Sequence, residues 1–385
     1  MSKTANVVLD RDAVLNARRL VIKIGSSSLT TPDGGVDTKR ILFMSDLIAW
    51  LVGRGKQVVL VSSGSVAAGL APLGFKERPT DLASLQAAAS VGQGKLIEAY
   101  NDAFYRHALP VGQVLLTVDD VTRQSSYRNA FRTIQRLLDL GAVPIINEND
   151  TVASNEVRFG DNDRLAALVA GMIGADAMIM LTDVDALYTK HPDEEGAERI
   201  FRVDDIDALE VDIHRMGSNI GTGGMETKMD AARICTQSGI PVFLTKTSLA
   251  ERALRGEKLG TVFTAQKKRT PRRLLWLEIA SQVAGSIQID DGALRAISEN
   301  RASLLAVGIT AVHGDFEAGQ PVEIIDSAGT AVARGLPNYS SADLSLMMGQ
   351  TTYQLGETLG QEYERAVVHA DVLVPVRIAA LKGYA

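Results

Sequence analysis

A single cysteine, Cys235, stands in a chain of 385 residues, which excludes an intrachain disulfide and any cysteine-based metal cluster. It falls in a helical pattern from Met229 to Gln237, where a packed thiol is the expectation, and a reducing, cytoplasmic setting suits such sparse cysteine. Long apolar runs are missing as well. The longest, such as Ala175 to Leu181, fall far short of the roughly 18 residues a bilayer span requires, and charge interrupts them. The N-terminal stretch Met1 to Arg19 alternates charge with short apolar pieces and has no h-region, so no secretory signal is expected. The five histidines, His107 and His214 among them, show no paired spacing, so no histidine metal site is expected.

Basic excess is absent too. The formal net charge is −6, and residues 276–385 carry 6 Lys and Arg against 13 Asp and Glu, a balance of −7. The rest of the chain is therefore near +1, and neither part has the positive surplus that tight binding to a phosphate backbone demands. Two phosphate-binding fingerprints are also lacking. No Walker A spacing occurs, and no GxGxxG follows the first strand.

What is present describes a folded globular protein, 46% hydrophobic and 22% charged, of a length that suggests two domains. Apolar, β-branched runs alternate with amphipathic helical patterns. Strands are predicted at Val21 to Ile24, Gln57 to Val61, Val111 to Val118, Val143 to Ile146, Ala177 to Leu181 and Pro241 to Leu244. Helices are predicted at Asp37 to Gly53, around Leu82 to His107, and at Tyr127 to Leu140, Arg164 to Ile173 and Met229 to Gln237. Strands written almost wholly in Val, Ile and Leu are buried on both faces, as in a parallel sheet between helix layers. Residues 1–272 thus read as a three-layer α/β domain with a mainly parallel sheet. After the basic stretch Gln266 to Arg273, short runs at Ser286 to Ile289, Val322 to Ile325 and Ala331 to Ala333 suggest a small β-rich domain over residues 276–385.

Chemistry in parallel α/β sheets collects at the carboxyl ends of the strands, and four of these ends carry polar clusters. In the first, Lys23 leads into Gly25-Ser26-Ser27-Ser28, a lysine and small residues able to nest an anion, although a strand lysine can equally reach out to solvent. The second is the turn Ser62-Ser63-Gly64-Ser65. The third, Asn147-Glu148-Asn149-Asp150 with Gly160-Asp161-Asn162-Asp163, offers acceptors and donors for a zwitterion, or else serves turns and a helix cap at Asn162. The fourth joins Thr182 and Asp183 to Gly221-Thr222-Gly223-Gly224-Met225-Glu226-Thr227-Lys228, glycines and a lysine opening a helix, a cradle for polyphosphate.

Together these segments resemble the amino-acid kinase family: KIGSSSLT at Lys23, VSSGSVAAG at Val61, SVGQG at Ser90, VPIINENDTVA at Val143, FGDND at Phe159, LTDVDALYT at Leu181 and GTGGMETK at Gly221. The later GSIQIDDGA, SLLAVGI and HGDFEAGQPVEI resemble a PUA domain. The resemblance implies the amino-acid kinase fold with a PUA-like tail, and, from the NEND and GDND segments, ATP-dependent phosphorylation of the γ-carboxylate of L-glutamate, the first step toward proline. It implies catalytic roles for Lys23, Lys228 and Asp163, and glutamate contacts at Ser63, Asp150 and Asn162. It implies nucleotide contacts at Lys23, Thr182, Asp183, Thr222, Gly223, Gly224, Met225, Glu226, Thr227 and Lys228. Ser62 stands where the family commonly has threonine, and Glu226 adds a carboxylate near the phosphates. Mg²⁺ is expected to arrive as MgATP, since that ion takes few protein carboxylates. Also implied are a homo-oligomer and feedback inhibition by proline. An RNA-binding role, suggested by other proteins with PUA domains, runs against the −7 balance of the tail.

Overall fold

A computed structural model describes residues 12–31, 35–117, 120–121, 124–152, 162–209, 224–265, 277, 283–300 and 302–375. The chain divides into two compact units, the first ending before Pro271.

The first unit is organised by an eight-stranded sheet in the order β3-β4-β2-β1-β5-β9-β10-β8. Its centre consists of β1 (Arg19–Ile24), β2 (Gln57–Val61), β3 (Val111–Leu116), β4 (Val143–Glu148), β5 (Ala177–Thr182) and β9 (Val242–Lys246), all parallel. Every residue of β4 and β5 is buried, as the apolar runs Val143 to Ile146 and Ala177 to Leu181 predict for strands covered on both faces, and the burial extends to the polar Asn147, Glu148 and Thr182 at their carboxyl ends. One edge departs from the sequence reading: β10 (Thr261–Phe263) runs antiparallel to β9, and the two-residue β8 (Arg202–Val203) pairs with it. Strands of two or three residues carry too little periodicity to be read. The same holds for the hairpin of β6 (Leu187–Tyr188) and β7 (Arg199–Ile200).

The predicted helices appear with shifted ends. The helix α1 (Thr38–Val52) is capped by Asp37, whose carboxylate accepts from the amides of Lys39 and Arg40. Between β2 and β3 the chain forms a short helix α2 (Ser65–Leu70), absent from the sequence reading, and the long α3 (Leu82–Tyr105). These two cross so closely that a Cβ on Gly69 would lie 1.9 Å from the Ala88 carbonyl oxygen, and one on Gly92 1.8 Å from that of Ser65. Glycine is obligatory at this crossing because backbone, not side chain, occupies the space. The helix α4 (Gln124–Asp139) follows, and α5 (Asn162–Ile173) and α6 (Met225–Gln237) cover the other face of the sheet, with Cys235 of α6 buried 3.7 Å from the sulfur of Met178 on β5. Burial pushes its thiol pKa up, so the single cysteine is the packed thiol expected.

The second unit holds a five-stranded sheet, order β12-β11-β13-β14-β15, formed by β11 (Gly285–Ile289), β12 (Ile309–Gly314), β13 (Val322–Ile325), β14 (Ala331–Pro337) and β15 (Val368–Pro375). Its own core includes Ile287, Ile324, Phe316, Leu344 and Val368. Helices at Asp291–Asn300, Ser341–Met347 and Thr352–Thr358 accompany the strands, the last two starting in capping boxes at Ser340 and Thr351. The basic stretch at 266–273 lies outside the described residues, as does Trp276.

Candidate active site

Lys23 is the penultimate residue of β1, and its side chain is buried rather than turned to solvent. Its ammonium lies 2.6 Å from Oδ1 of Asp163, in the first turn of α5. Lys228, in the first turn of α6, approaches the other oxygen of that carboxylate at 3.4 Å. Thr227 donates to the same Oδ2 at 3.0 Å and also to the Gly224 carbonyl, while Lys228 reaches that carbonyl at 3.3 Å. Burial by itself would raise the Asp163 pKa, but Lys23 and then Lys228, with hydrogen bonds from Lys23 and Thr227, hold it at about 2. Two cations are thereby gathered around one anion at the sheet's carboxyl edge, a cluster carrying net positive charge.

The sequence pattern begins α6 at Met229, whereas the helix opens four residues earlier at Met225. That shift brings Lys228 and Thr227 into the first helical turn, with the positive end of the helix beside them. Met225 is buried, while Gly224 and Glu226 are exposed. Thr222 and Gly223 lie outside the described residues. At the end of β5, Thr182 is buried and donates to Asp183 Oδ1 at 2.8 Å, and Asp183 is exposed.

A second group sits at the ends of β2 and β4. Asn162 donates its amide to Ser63 Oγ at 3.0 Å, so that amide is aimed across the sheet edge rather than serving only as a cap. Asp150 accepts from Ser65 Oγ at 2.7 Å. Asp150, Asn162 and Ser63 are each 5% exposed or less, yet Asp150 Oδ1 and Asn162 Oδ1 have no hydrogen-bond partner among the described residues. Burial raises the Asp150 pKa, opposed by the Ser65 hydrogen bond and by the charge of Arg78. Two buried acceptors without a partner among the described residues have the chemistry to accept from a donor-bearing ligand, since leaving them unmet costs free energy.

Several contributors escaped the sequence reading. Ser65 belongs to the noticed SSGS turn, but only the fold brings it to Asp150. Ser62, by contrast, hydrogen-bonds Tyr100 at 3.0 Å inside the core. Asn147 and Glu148 belong to β4 itself rather than to a turn, and the Asn147 amide donates to Gln93 of α3. Thr247 links Ser28 Oγ at 3.0 Å with the Thr182 carbonyl at 3.2 Å, tying together the carboxyl ends of β1, β5 and β9.

Cations at a strand end, two helix N-termini and a separate buried polar receptor define a phosphotransferase, in which one ligand presents phosphate and another receives it. The family described as Amino acid kinase matches residues 18–246, and that described as PUA domain matches residues 285–355. The chain belongs to the amino acid kinase family, with a PUA domain following in the sequence. Among curated relatives, "Glutamate 5-kinase" of Salinispora arenicola is 55% identical over 366 residues, covering 94% of this chain and 99% of that one. The proteins of the same name from Cutibacterium acnes and Streptomyces coelicolor are 51% and 53% identical, over 94% of this chain and 93% and 98% of theirs. A solved carbamate kinase from Giardia lamblia bound to AMP-PNP is 18% identical with a TM-score of 0.48, covering 66% of this chain and all of that one.

Proposed function

We propose that the protein transfers the γ-phosphoryl group of ATP to the γ-carboxylate of free L-glutamate, forming L-glutamyl 5-phosphate, the first step toward proline. The observation that carries this reading is the pairing of Lys23 and Lys228 on one buried carboxylate, Asp163, next to the buried receptor of Ser63, Asn162 and Asp150. The glutamate 5-kinases that match over almost the whole chain support it.

The chemistry follows from the charge states. A glutamate carboxylate is ionised at neutral pH, so the nucleophile needs no general base, and catalysis reduces to positioning and charge neutralisation. Lys23 and Lys228 neutralise the transferring phosphoryl group, and Asp163 keeps both ammonium groups aimed at it. Asp150 takes the substrate ammonium on the oxygen that has no partner among the described residues, while Ser63 and Asn162 orient the acceptor. Thr182, Asp183 and the segment Thr222 to Lys228 hold the nucleotide, with Lys23 shared between nucleotide and catalysis.

A kinase of this family takes a nucleotide, usually with a divalent metal. Among the described residues no group of three or more His, Cys, Asp or Glu is arranged to hold a metal, and Asp163 is engaged by ammonium groups. We assign Mg²⁺ to the substrate, as MgATP, because that ion takes few protein carboxylates. Among the described residues no helix is long and apolar enough to cross a membrane. We further propose a cytoplasmic homo-oligomer inhibited by proline, with the catalytic domain at 1–272, the PUA-like domain at 276–385, and no nucleic acid partner.

The test is ADP release by the purified protein with MgATP, comparing L-glutamate, N-acetylglutamate, L-aspartate and UMP, with hydroxylamine present to trap an acyl phosphate. Turnover with glutamate and a trapped hydroxamate is the expected result. Activity only with another acceptor overturns the assignment of the Asp150 receptor.

A further inference from the structure

We propose that Lys246, the last residue of β9, is a further nucleotide-binding residue whose ammonium pairs with the non-transferred α- and β-phosphates. This rests on the kinase reading above. Three observations carry it.

The first is the face. In a parallel ladder, residues in register project to the same side of the sheet, and alternate residues along a strand share that side. Lys23 is in register with Met180, and Thr182 with Lys246, while Met180 and Thr182 are alternate residues of β5. Lys23, Thr182 and Lys246 therefore share one face. It is the face covered by α5 and α6, because Lys23 meets Asp163 there and Met178, two residues before Met180, touches Cys235.

The second is spacing. Strands β1, β5 and β9 are consecutive in the sheet, so β9 lies about 10 Å from β1, two interstrand steps. A nucleotide whose γ-phosphoryl group lies between Lys23 and Lys228 extends its remaining phosphates along this edge, within reach of a lysine stem.

The third is availability. Lys246 alone in β9 is exposed, where the other four residues are buried, and the adjacent Thr247 fixes its backbone by bonding to Ser28 after β1 and to Thr182 at the end of β5. A positive charge held at this edge is better matched by phosphate than by a nucleobase, which offers no anion.

Calorimetric titration of ADP into the full-length protein and its Lys246→Ala, Lys246→Gln and Lys246→Arg variants tests the charge directly. ADP affinity is expected to fall roughly tenfold in the Ala and Gln variants and to stay within about threefold in the Arg variant, with the ATP KM rising in parallel and the glutamate KM unchanged. Wild-type affinity in the Ala variant overturns the assignment, as does retention by Gln, which signifies a neutral hydrogen bond instead of an ion pair. A wild-type protein that binds no ADP defeats the kinase reading itself, a separate outcome. Because Lys246 is exposed, circular dichroism is expected to show all three variants folded.

Discussion

Asn162 and Asp163, neighbours in the first turn of α5, serve different halves of the site. Asn162 donates to Ser63 Oγ at 3.0 Å in the acceptor receptor, and Asp163 meets Lys23 at 2.6 Å in the phosphoryl cluster. Successive helical residues diverge by about 100°, so one helix end directs two polar side chains to separate places, as the proposed two-ligand site requires. Aligning nucleophile and phosphoryl group in this way is the main service a protein can render to a reaction that lacks a general base.

The role proposed for Lys228, neutralising charge that develops during transfer, predicts that Lys228→Ala lowers kcat by about 10²- to 10³-fold with little change in glutamate KM. Steady-state kinetics with glutamate varied at saturating ATP checks it. Near-normal turnover removes Lys228 from the catalytic machinery.

Asp150→Asn removes the carboxylate oxygen assigned to the substrate ammonium. Glutamate KM is expected to rise about 10- to 100-fold, the worth of one hydrogen bond to a charged group. The unliganded protein should meanwhile gain stability at neutral pH. Burial raises the Asp150 pKa above its unfolded value, so the folded state binds protons more tightly, and stability falls as pH rises from that unfolded value through the raised one. Thermal unfolding without ligand separates the outcomes: a lower melting temperature for the variant assigns Asp150 to turn structure.

Asp163 has the opposite sign. Its folded pKa, about 2, lies below the ordinary 3.8, so its stabilising contribution is fully present above the unfolded pKa and is lost as pH falls toward 2. Asp163→Asn leaves two buried ammonium groups without their anion and is expected to cost about 3–5 kcal/mol at pH 7. Denaturant titrations of wild type and variant across pH 2 to 7 should show the gap narrowing only below about pH 4.

Gly92→Ala places a methyl against the Ser65 carbonyl at a distance backbone atoms cannot accept, so the two helices must separate. Because Ser65 holds Asp150, the substitution is expected both to destabilise by about 1–3 kcal/mol or more and to raise glutamate KM. Loss of stability with unaltered KM would show that the Ser65 contact does not position the receptor.

The alternation of apolar strands with amphipathic helices was readable because burial on two faces leaves runs such as Val143 to Ile146 and Ala177 to Leu181 almost wholly apolar, and the polar residues at their carboxyl ends stood out against that background. The helix start near Lys228 was readable from the glycines that precede it, and the structure opens that helix at Met225. Boundaries were less legible. Local pattern alone put the start of α6 at Met229, because the polar first turn, Glu226 to Lys228, does not look helical until its helix is packed.

By itself, then, the sequence determined that a mainly parallel sheet forms, that polar residues gather at its carboxyl edge, and that a second, strand-rich unit follows. Only the tertiary structure decided that Lys23 is buried on a carboxylate rather than solvated, that Ser65 rather than Ser62 reaches the receptor, and that Thr247 fastens three strand ends. The physical reason is that patterning records which face of an element loses water, a local property, whereas the partner of a buried charge or hydroxyl is set by contacts between residues such as Lys23 and Asp163, brought together only when the sheet and its covering helices close over them.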